Sequence, residues 1–455
     1  MPRVLCPPIR RPFCNKRAIG YFCRSLLILK ILSMPEIKLS ALAETLIGSE
    51  IVKLGSIIKE KIKNGAHIYN YTIGDFDSSL FPIPTALEKE ICEAYKNGYT
   101  SYPASEGEID MRKAVLDFLK KNEGLDCGMD EILIAAGGRP LIYAAYRAIV
   151  DKGDKVIYPV PSWNNNHYTH FTEGQHILIA AEKENNFMPT AEQIRPHVKG
   201  ASLLALCSPL NPTGTVFQKE ELEAICDLVL EENKQRGAGG KKLYLLFDQI
   251  YWTLTYGDTV HYNPVSLRPE MRPYTVFIDG ISKAFAATGV RVGWSLGPKE
   301  LITKMKAINS HVGAWAPMAE QKAVAKFLVQ ENETVSFLSN FKNELEYRLR
   351  SIYEGFIALK KDGFAVDAIE PQAAIYLTVQ IKLAGKRARN KTLRSQGDVT
   401  EYILNEAGLA LVPFNYFGAS SENSWYRLSV GTCRKEEIND MLKALRTALE
   451  KTEKN

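Results

Sequence analysis

Between about Asp130 and Gly297 the sequence alternates short apolar runs with amphipathic segments. This alternation is typical of β-α-β units, in which helices cover both faces of a mostly parallel sheet. The chain is therefore expected to contain a large α/β domain built on such a sheet. The runs expected to form its strands are Ile132 to Ala135, Val156 to Tyr158, Leu203 to Leu206, Leu243 to Phe247 and Thr275 to Ile278.

The pattern changes after about Glu320 and predicts a smaller α+β domain. It predicts a long helical stretch to Lys360, a strand from Ala374 to Val379, a helix near Val399 to Ala407, a strand from Tyr426 to Val430 and a last helix. We expect residues 34–80 to form an N-terminal arm and part of the small domain. Residues 81–319 are then the large domain, and residues 320–455 are the small C-terminal domain.

Residues 1–33 differ from the remainder in composition. They contain seven basic residues and no acidic one, and Pro7, Pro8 and Pro12 disfavour a helix. A basic, acid-free segment is typical of an organelle transit peptide. A disordered tail and an extension upstream of the true start at Met34 are the alternatives. None of the three bears on the fold of the remainder.

The net charge of +5 does not indicate a nucleic-acid-binding surface, because outside residues 1–35 the chain has 50 basic and 52 acidic residues. The eight cysteines form no CxxC pair and have no histidine at metal-ligand spacing. We therefore expect reduced thiols, no metal site and a cytoplasmic location. No apolar run approaches the ~20 residues that a membrane span requires, so no membrane association is expected.

The residues that follow the first two predicted strands are candidates for a binding site, because an open parallel sheet binds its ligand beyond the carboxyl ends of its strands. Gly137, Gly138 and Arg139 follow the first strand and open a helix, whose free amides suit a phosphate. Trp163 follows the second strand and offers a flat indole for stacking. A ligand-free glycine-rich turn and a core tryptophan also explain these residues when each is taken alone.

Polar groups follow the third and fourth predicted strands as well. Asn211 stands between two prolines and offers an amide donor, although an ordinary Asn-Pro turn has the same sequence. Asp248 ends an otherwise apolar strand, and Tyr251 lies three residues further on. A carboxylate at that place either has a cationic partner or caps a helix.

The fifth predicted strand leads to Ser282 and Lys283, with Arg291 eight residues beyond the lysine. Lys283 stands among small and apolar residues, where desolvation disfavours the ammonium form and lowers its pKa. The same shift makes a lysine a competent nucleophile toward a carbonyl group. Ser-Lys pairs also occur by chance in long chains, so the pair is informative only in its context.

Taken together, the five strand ends match the groups of one ligand. They offer a phosphate cradle, an aromatic plate, an amide donor, a carboxylate with a phenol, and an activated lysine with a hydroxyl and an arginine. Pyridoxal phosphate has a phosphate, a flat pyridine ring, a phenolic oxygen, a ring nitrogen that must stay protonated, and an aldehyde that forms a Schiff base. The sequence therefore predicts pyridoxal 5'-phosphate as the cofactor.

From about Lys38 to Leu449 the sequence resembles the fold-type I aminotransferases of class I/II, the aspartate aminotransferase superfamily. The resemblance implies the pyridoxal-phosphate-dependent transferase fold type I, with a large mostly parallel sheet domain and a smaller α+β domain. It also implies amino transfer between an L-amino acid and a 2-oxo acid by a ping-pong mechanism, with aspartate as an expected donor. The motifs that carry it are Ser282-Lys283 with Arg291 and Gly293, Asn211-Pro-Thr-Gly214, Asp248 with Tyr251, and Tyr426-Arg427-Leu428-Ser429.

The resemblance implies a role for each residue of the cofactor ring site. Lys283 would form the Schiff base and later serve as general base and acid. Asp248 would keep the pyridine nitrogen protonated, and Asn211 and Tyr251 would hydrogen-bond the phenolic oxygen. Trp163 would stack on the ring, and Trp163 and Asn211 would also border the bound substrate.

The resemblance further implies how the phosphate and the substrate are held. Gly137, Gly138, Arg139, Ser282 and Arg291 would hold the phosphate through amides, a hydroxyl and a guanidinium. Tyr102 would reach the phosphate of a neighbouring subunit, which implies a homodimer. Arg427 would grip the substrate α-carboxylate, and Gly74 would line the same pocket.

Three positions depart from the family pattern. Asn166 stands where many relatives have tyrosine, and Gln249 stands where they have glutamate. The stretch from Ile73 to Asp77 lacks the proline that is common in aspartate-specific relatives. These changes leave the cofactor chemistry intact and make the side-chain pocket, and so the preferred amino acid, the open question.

Two other functions remain open on sequence grounds. A carbon–sulfur lyase or a related eliminating enzyme would use the same fold and lysine, and would release ammonia and pyruvate without an oxo-acid acceptor. A ligand-sensing regulatory protein with an aminotransferase-like domain would normally carry an N-terminal DNA-binding domain. The ~35 residues before the match are too few for one.

Overall fold

The structure, a computed structural model, describes residues 38–388 and 391–453. The expectations for residues 1–33 lie outside this described part. The segment up to Thr45 is a unit of its own and contains one short helix, Ala41–Glu44, which the Ser40 side chain caps. From Leu46 onward the described residues form one compact unit.

The strands of the described residues are numbered in chain order. They are β1 Tyr69–Asn70, β2 Ile132–Ala135, β3 Lys155–Val160, β4 Gln175–Ala180, β5 Ala201–Cys207, β6 Tyr244–Asp248, β7 Thr275–Gly280, β8 Gly293–Leu296, β9 Val366–Ala368, β10 Tyr376–Ile381, β11 Arg387–Ala388, β12 Lys391–Thr392, β13 Leu409–Ala410, β14 Val412–Pro413 and β15 Trp425–Ser429.

The helices are numbered in the same way. They are α1 Ala41–Glu44, α2 Glu50–Lys63, α3 Thr85–Lys96, α4 Ile109–Glu123, α5 Gly138–Ile149, α6 Asn165–Phe171, α7 Ala191–Ile194, α8 Lys219–Gln235, α9 Pro264–Leu267, α10 Ile281–Ala284, α11 Lys299–Val312, α12 Met318–Leu328, α13 Glu331–Lys361, α14 Gln396–Glu406 and α15 Ile438–Glu450. Short 3₁₀ turns occupy Lys183–Asn185, Arg195–His197, Pro269–Tyr274, Phe414–Phe417 and Lys435–Glu437.

A seven-stranded sheet with the order β2-β8-β7-β6-β5-β3-β4 confirms the α/β prediction. The strand β8 is antiparallel to both of its neighbours, and the ladders from β7 through β4 are all parallel. All five predicted strands are present, with slightly different ends. Two further strands, β4 and β8, were not predicted from the sequence.

Alternate residues of these strands pack into two separate apolar cores, one on each face of the sheet. Leu204 and Leu206 belong to one core, whereas Leu203 and Ala205 belong to the other. A strand that is buried on both faces reads as a continuous apolar run, because neither set of alternate side chains meets solvent. This two-sided burial is the reason that the strands could be predicted from the sequence.

A second, smaller sheet is antiparallel and has the strand order β14-β15-β10-β9. Its core includes residues of α13, α14 and α15. The predicted C-terminal strands correspond to β10 and β15, and Thr378 of β10 pairs with Arg427 of β15. The presence of two separate sheets is consistent with the predicted division into a large and a small domain. The exact boundary at residue 319 stays a prediction.

The predicted single helical stretch from Glu320 to Lys360 is wrong in one respect, because two helices occupy it. The chain leaves the helix after Leu328, where Gln330 adopts φ −84° and ψ 75°, and α13 begins at Glu331. The interruption lets α12 pack on α3 and α4 while α13 packs on β9 and α15. Within the described residues, every helix is too short or too polar to cross a membrane.

Candidate active site

A cavity of about 810 Å³ lies at the carboxyl ends of the parallel strands of the large sheet. A second cavity, of about 400 Å³, contains none of the predicted site residues. All predicted site residues except Gly137 and Tyr102 line the larger cavity. They are Gly74, Gly138, Arg139, Trp163, Asn211, Asp248, Tyr251, Ser282, Lys283, Arg291 and Arg427.

The Lys283 amine lies inside this cavity on the short helix that follows β7. Its Nζ donates to the carbonyl oxygen of Gly74 at 2.6 Å and lies 5.5 Å from the ring centre of Phe76. Burial lowers the pKa of Lys283 to about 8, and the nearby carboxylate of Asp75 opposes this change. About a tenth of the amine is therefore uncharged at pH 7, far more than for an ordinary lysine.

Asp248 is the last residue of β6, where it pairs in register with Cys207 of β5 and Ile278 of β7. The backbone amide of Ile250 donates to its Oδ1 at 3.1 Å. Burial raises the pKa of Asp248 to about 6. No lysine, arginine or histidine of the described residues forms an ion pair with it, so the carboxylate is free to receive a cationic ligand group.

Arg427 of β15 is 2% exposed and has no carboxylate partner among the described residues. Its Nη1 donates to Asn211 Oδ1 at 3.0 Å, its Nη2 donates to the carbonyl oxygen of Thr72 at 2.7 Å, and its Nε has no partner. The guanidinium also lies 4.7 Å from the ring centre of Tyr376. A buried cation without a counter-ion is costly, which indicates that an anionic ligand completes this site.

The glycines near the start of α5 permit a close approach of backbone to backbone. Gly137 has φ +86°, and a Cβ there would lie 2.5 Å from Nη2 of Arg291. A Cβ on Gly293 would lie 2.7 Å from the carbonyl carbon of Gly137. Gly137 therefore lies beneath Arg291 rather than on the cavity wall, and any larger residue would push the two segments apart.

Arg291 is held toward this helix start by two backbone carbonyls. Its Nη1 donates to Thr288 at 2.7 Å, and its Nη2 donates to Ala136 at 2.8 Å. No side chain caps α5, and its first residues Gly138 and Arg139 line the cavity. Uncapped amides and a guanidinium in one place form an anion site.

Trp163 follows β3 and lines the cavity at the side of Arg139. The Arg139 guanidinium lies 5.6 Å from the centre of the Trp163 ring. The Arg139 side chain forms this contact with an aromatic ring and has no ion pair among the described residues. Arg139, Arg291 and Arg427 are the arginines among the described residues that line the cavity.

Tyr251 contacts a second phenol that the sequence did not indicate. Its hydroxyl lies 2.6 Å from the hydroxyl of Tyr376, the first residue of β10, and both side chains are buried. Tyr376 lies within a predicted strand of the other sheet, and nothing in its sequence context marks it as a site residue. Only the packing of the two sheets reveals the contact.

One face of α2 also lines the cavity, and this contribution was missed. Its residues Ile51, Gly55 and Lys59 recur at intervals of four, with Val52 and Ser56 beside them. This spacing places them on one face of a helix, so the pattern could have been found in the sequence. Along this face Ile51 is apolar, Gly55 is small and Lys59 is cationic.

Tyr102 is not part of this cavity. It is 84% exposed, and its ring packs edge-on against Trp315 with the ring centres 5.3 Å apart. An aromatic side chain so exposed is available for contact with another molecule. Its expected role toward the phosphate of a neighbouring subunit stays a prediction.

Two of the three departures from the family pattern lie away from the cavity wall. Asn166 is exposed on α6, and the Gln249 amide is buried and donates to Glu123 Oε2 at 2.9 Å. Phe76, at the position of the absent proline, packs against Phe341 with the ring centres 5.3 Å apart. Of the three, Phe76 alone approaches the reactive amine, so it is the departure that bears on the pocket.

Comparison with protein families identifies the family to which the chain belongs. The model named "Aminotransferase class I and II" matches residues 67–445, which is most of the chain. The chain belongs to the class I and II aminotransferases. An aminotransferase is an enzyme that transfers amino groups, so this membership favours neither the eliminating nor the regulatory alternative.

The relatives of this aminotransferase include several aspartate aminotransferases. It is 28% identical to the aspartate aminotransferase of Bacillus sp. (strain YM-2) over 83% of this chain and 91% of that one. It is 28% identical to a probable aspartate/prephenate aminotransferase of Rickettsia felis over 82% of this chain and 87% of that one.

Solved structures agree with the fold of this aminotransferase. The aspartate aminotransferase of Rhizobium meliloti superposes with a TM-score of 0.84 at 26% identity, over 92% of this chain and all of that chain. The enzyme of Thermus thermophilus, solved with maleate, superposes with a TM-score of 0.80 at 26% identity, over 91% of this chain and all of that chain. The predicted fold type I is therefore confirmed.

Proposed function

We propose that this aminotransferase uses pyridoxal 5'-phosphate and takes its amino group from a dicarboxylic amino acid such as aspartate. The observation that carries the proposal is the placement of one buried amine, Lys283, in a cavity with a free carboxylate, Asp248, and a buried arginine without a counter-ion, Arg427. When bound, pyridoxal phosphate supplies an acceptor for the electrons that the substrate releases at its α-carbon.

The free groups of the cavity fit this cofactor. The amides of Gly138 and Arg139, the Ser282 hydroxyl and the Arg291 guanidinium suit a phosphate, because α5 has no side-chain cap and Arg291 has no acidic partner among the described residues. Asp248 suits the protonated ring nitrogen. Its carboxylate has one backbone donor, and burial favours pairing with a cation.

The remaining polar groups suit the ring and its phenolic oxygen. Asn211 uses its Oδ1 to accept from Arg427, so its Nδ2 is left as a donor. Tyr251 lines the same wall and offers a hydroxyl. Trp163 offers an indole face on the side of Arg139.

Arg427 and Gly74 form the pocket for the substrate α-carboxylate. A Cβ on Gly74 would lie only 2.8 Å from the Tyr376 hydroxyl oxygen and would contact Nη1 of Arg427 at 3.5 Å, so glycine keeps this side of the guanidinium uncovered without displacing Tyr376. A carboxylate there would receive paired, charge-assisted hydrogen bonds. It would also neutralise a cation that is now buried without a counter-ion.

Lys283 then moves the substrate α-proton. Burial favours the uncharged amine, and the guanidinium groups of Arg427, Arg139 and Arg291 lower its pKa further. The neutral Nζ would take the proton from the substrate α-carbon, and the same amine would return it to the carbon that carried the aldehyde of the cofactor, as a 1,3-proton shift requires. The Gly74 carbonyl, which accepts from Nζ at 2.6 Å, holds the amine near the carboxylate pocket.

The preference for a dicarboxylic donor rests on two cations that the other roles leave unused. The Arg139 guanidinium and the Lys59 amine both line the cavity, and neither has a carboxylate partner among the described residues. A second carboxylate on the substrate would meet one of them. The aspartate aminotransferase names of the relatives agree with this preference.

We also propose a cytoplasmic homodimer in which Tyr102 completes the partner's phosphate site. The exposure of Tyr102 and its distance from the cavity of its own chain support this role. All described cysteines are unpaired, which agrees with a reducing compartment. The size of the particle in solution, measured by light scattering at several concentrations, tests the dimer.

Spectroscopy and a donor panel test the proposed function. The purified protein should show a visible absorption band that an effective amino donor bleaches and that an oxo acid restores. Amino transfer requires the oxo-acid acceptor, whereas an eliminating enzyme releases ammonia and pyruvate without one. A band that no common amino acid alters would contradict the donor assignment and leave the cofactor assignment standing.

A further inference from the structure

The hydroxyl groups of two tyrosines, one from each of the two sheet regions, meet at the wall of the cavity. Tyr251 lies three residues after the end of β6 in the large sheet, and Tyr376 is the first residue of β10 in the small sheet. Their oxygens are 2.6 Å apart, and their ring centres are 5.5 Å apart in an edge-on arrangement. Each hydroxyl has one proton, so one of the two oxygens must accept.

The surroundings of Tyr376 decide which phenol donates. The Gly74 backbone closes the other side of the Tyr376 hydroxyl, since a Cβ on Gly74 would lie 2.8 Å from that oxygen. The Arg427 guanidinium lies 4.7 Å from the Tyr376 ring centre and makes this phenol more acidic. Tyr376 is therefore the better donor, and Tyr251 is the acceptor.

Burial acts on both phenols in the same direction. It raises the pKa of Tyr251 far above its ordinary value, and the Tyr376 hydroxyl raises it further. Burial also raises the pKa of Tyr376, and Arg427 is the largest influence that opposes the rise. The pKa rises less at Tyr376 than at Tyr251, so Tyr376 is the more acidic phenol of the pair and the better donor.

We propose that Tyr376 is a positioning residue that directs the Tyr251 proton into the cavity. Because Tyr376 donates to the Tyr251 oxygen, it does not accept the Tyr251 proton. No other acceptor for that proton is found among the described residues, so the proton is presented to the phenolic oxygen of the cofactor. The inference rests on the proposed cofactor. Through this contact, Tyr376, a residue of the small sheet, would influence how tightly the Lys283 nitrogen holds its proton.

Loss of the Tyr376 hydroxyl should therefore be visible in the pH titration of the loaded protein. A weaker bond from Tyr251 leaves more negative charge on the phenolic oxygen, so the nearby Lys283 nitrogen holds its proton more tightly. In Tyr376→Phe, the pH midpoint of the visible band should rise by about 0.5 to 1 unit. Asp75, Arg139, Arg291 and Arg427 face the same nitrogen and are unchanged by this substitution.

A double-variant comparison separates positioning from a general disturbance. Tyr251→Phe should raise the midpoint by more than Tyr376→Phe does, and the double variant should match Tyr251→Phe alone. Tyr256→Phe is the matched control. It removes a buried hydroxyl from the same core, but that hydroxyl donates to the carbonyl of Ala374 and does not line the site.

The outcomes distinguish this inference from the proposed function. An unchanged pH midpoint in Tyr376→Phe would overturn the positioning role, even if the midpoint shifts in Tyr251→Phe. A shift in Tyr376→Phe that is no larger than the shift in Tyr256→Phe would overturn it too. Additive shifts in the double variant would overturn it as well. A protein that takes up no pyridoxal phosphate at all, measured by equilibrium dialysis, would instead refute the cofactor assignment.

Discussion

The guanidinium of Arg427 donates from Nη1 to Oδ1 of Asn211 at 3.0 Å, across the boundary between the two sheets. An arginine can only donate, so this bond fixes the orientation of the Asn211 amide. The residue proposed to bind the substrate carboxylate therefore orients a residue proposed to bind the cofactor. The proposed substrate and cofactor sites are therefore joined by a hydrogen bond.

Arg427→Lys should weaken substrate binding while sparing cofactor uptake. A lysine cannot form two parallel hydrogen bonds with a carboxylate, so kcat/KM should fall about 10- to 150-fold, equivalent to about 1.5–3 kcal/mol. The visible band should persist. Arg350→Lys, at a half-exposed arginine that pairs with Glu346, is the control and should change little. Equal losses in the two variants would contradict the assignment.

The charge of Asp248 should destabilise the protein when the cofactor is removed. Its folded pKa of about 6 lies above the ordinary value, so the folded state binds more protons between about pH 4 and 6. Stability is therefore lost as the pH rises through this window, and the cost is complete above it.

Asp248→Asn should accordingly raise the Tm of the cofactor-free protein at pH 8 and leave it nearly unchanged at pH 4. The expected gain at pH 8 is about 3 kcal/mol, from about 1.4 kcal/mol for each unit by which the pKa is raised. In the protein loaded with pyridoxal phosphate, the same substitution should lower the Tm. The protonated ring nitrogen of the cofactor would then lose the carboxylate proposed to pair with it. Thermal unfolding at both pH values, with and without pyridoxal phosphate, measures this. A gain of the same size at both pH values would disagree with a titrating Asp248.

Arg139→Met should reduce the use of aspartate far more than the use of alanine. The guanidinium lines the cavity without an acidic partner, and one charge-assisted contact supplies about 1.5–3 kcal/mol. We expect a loss of about 10- to 100-fold in kcat/KM for aspartate and less than about 3-fold for alanine. Lys59→Met, made in parallel, reports whether the exposed amine on α2 shares the role. Parallel losses for both donors would show that Arg139 acts on the cofactor alone.

A mixed dimer tests the proposed role of Tyr102. Tyr102→Ala should weaken cofactor binding in homodimers, and Lys283→Ala should be inactive. Co-expression of the two variants should recover activity, because one of the two sites in a hybrid would contain both native residues. Tyr347→Ala, at another exposed tyrosine, serves as the control partner for Lys283→Ala and should give no recovery beyond its own activity. Failure to recover activity in purified hybrids would refute the shared site.

The residues at the strand ends could be predicted because the sheet dictates their position. Asp248 ends one strand, and Asn211 and Lys283 follow two others, all of them buried on both faces. Parallel strands bring these ends to one edge of the sheet. The apolar runs were readable without any knowledge of tertiary contacts. The ordinary rules for strands therefore sufficed for this half of the site.

The rest of the site depends on how the sheets pack and was not predictable in the same way. Tyr376 becomes a site residue only because the start of β10 meets the loop after β6. The strand β8 is short and includes Gly293, where close contact with Gly137 replaces side-chain packing. The break between α12 and α13 likewise follows from the different layers on which they pack.

The most direct test of the account is borohydride reduction of the purified protein followed by peptide mass spectrometry. The account predicts a phosphopyridoxyl group on the nitrogen of Lys283 and its absence in Lys283→Ala. A group found on another lysine, or no group after incubation with excess pyridoxal phosphate, would contradict it.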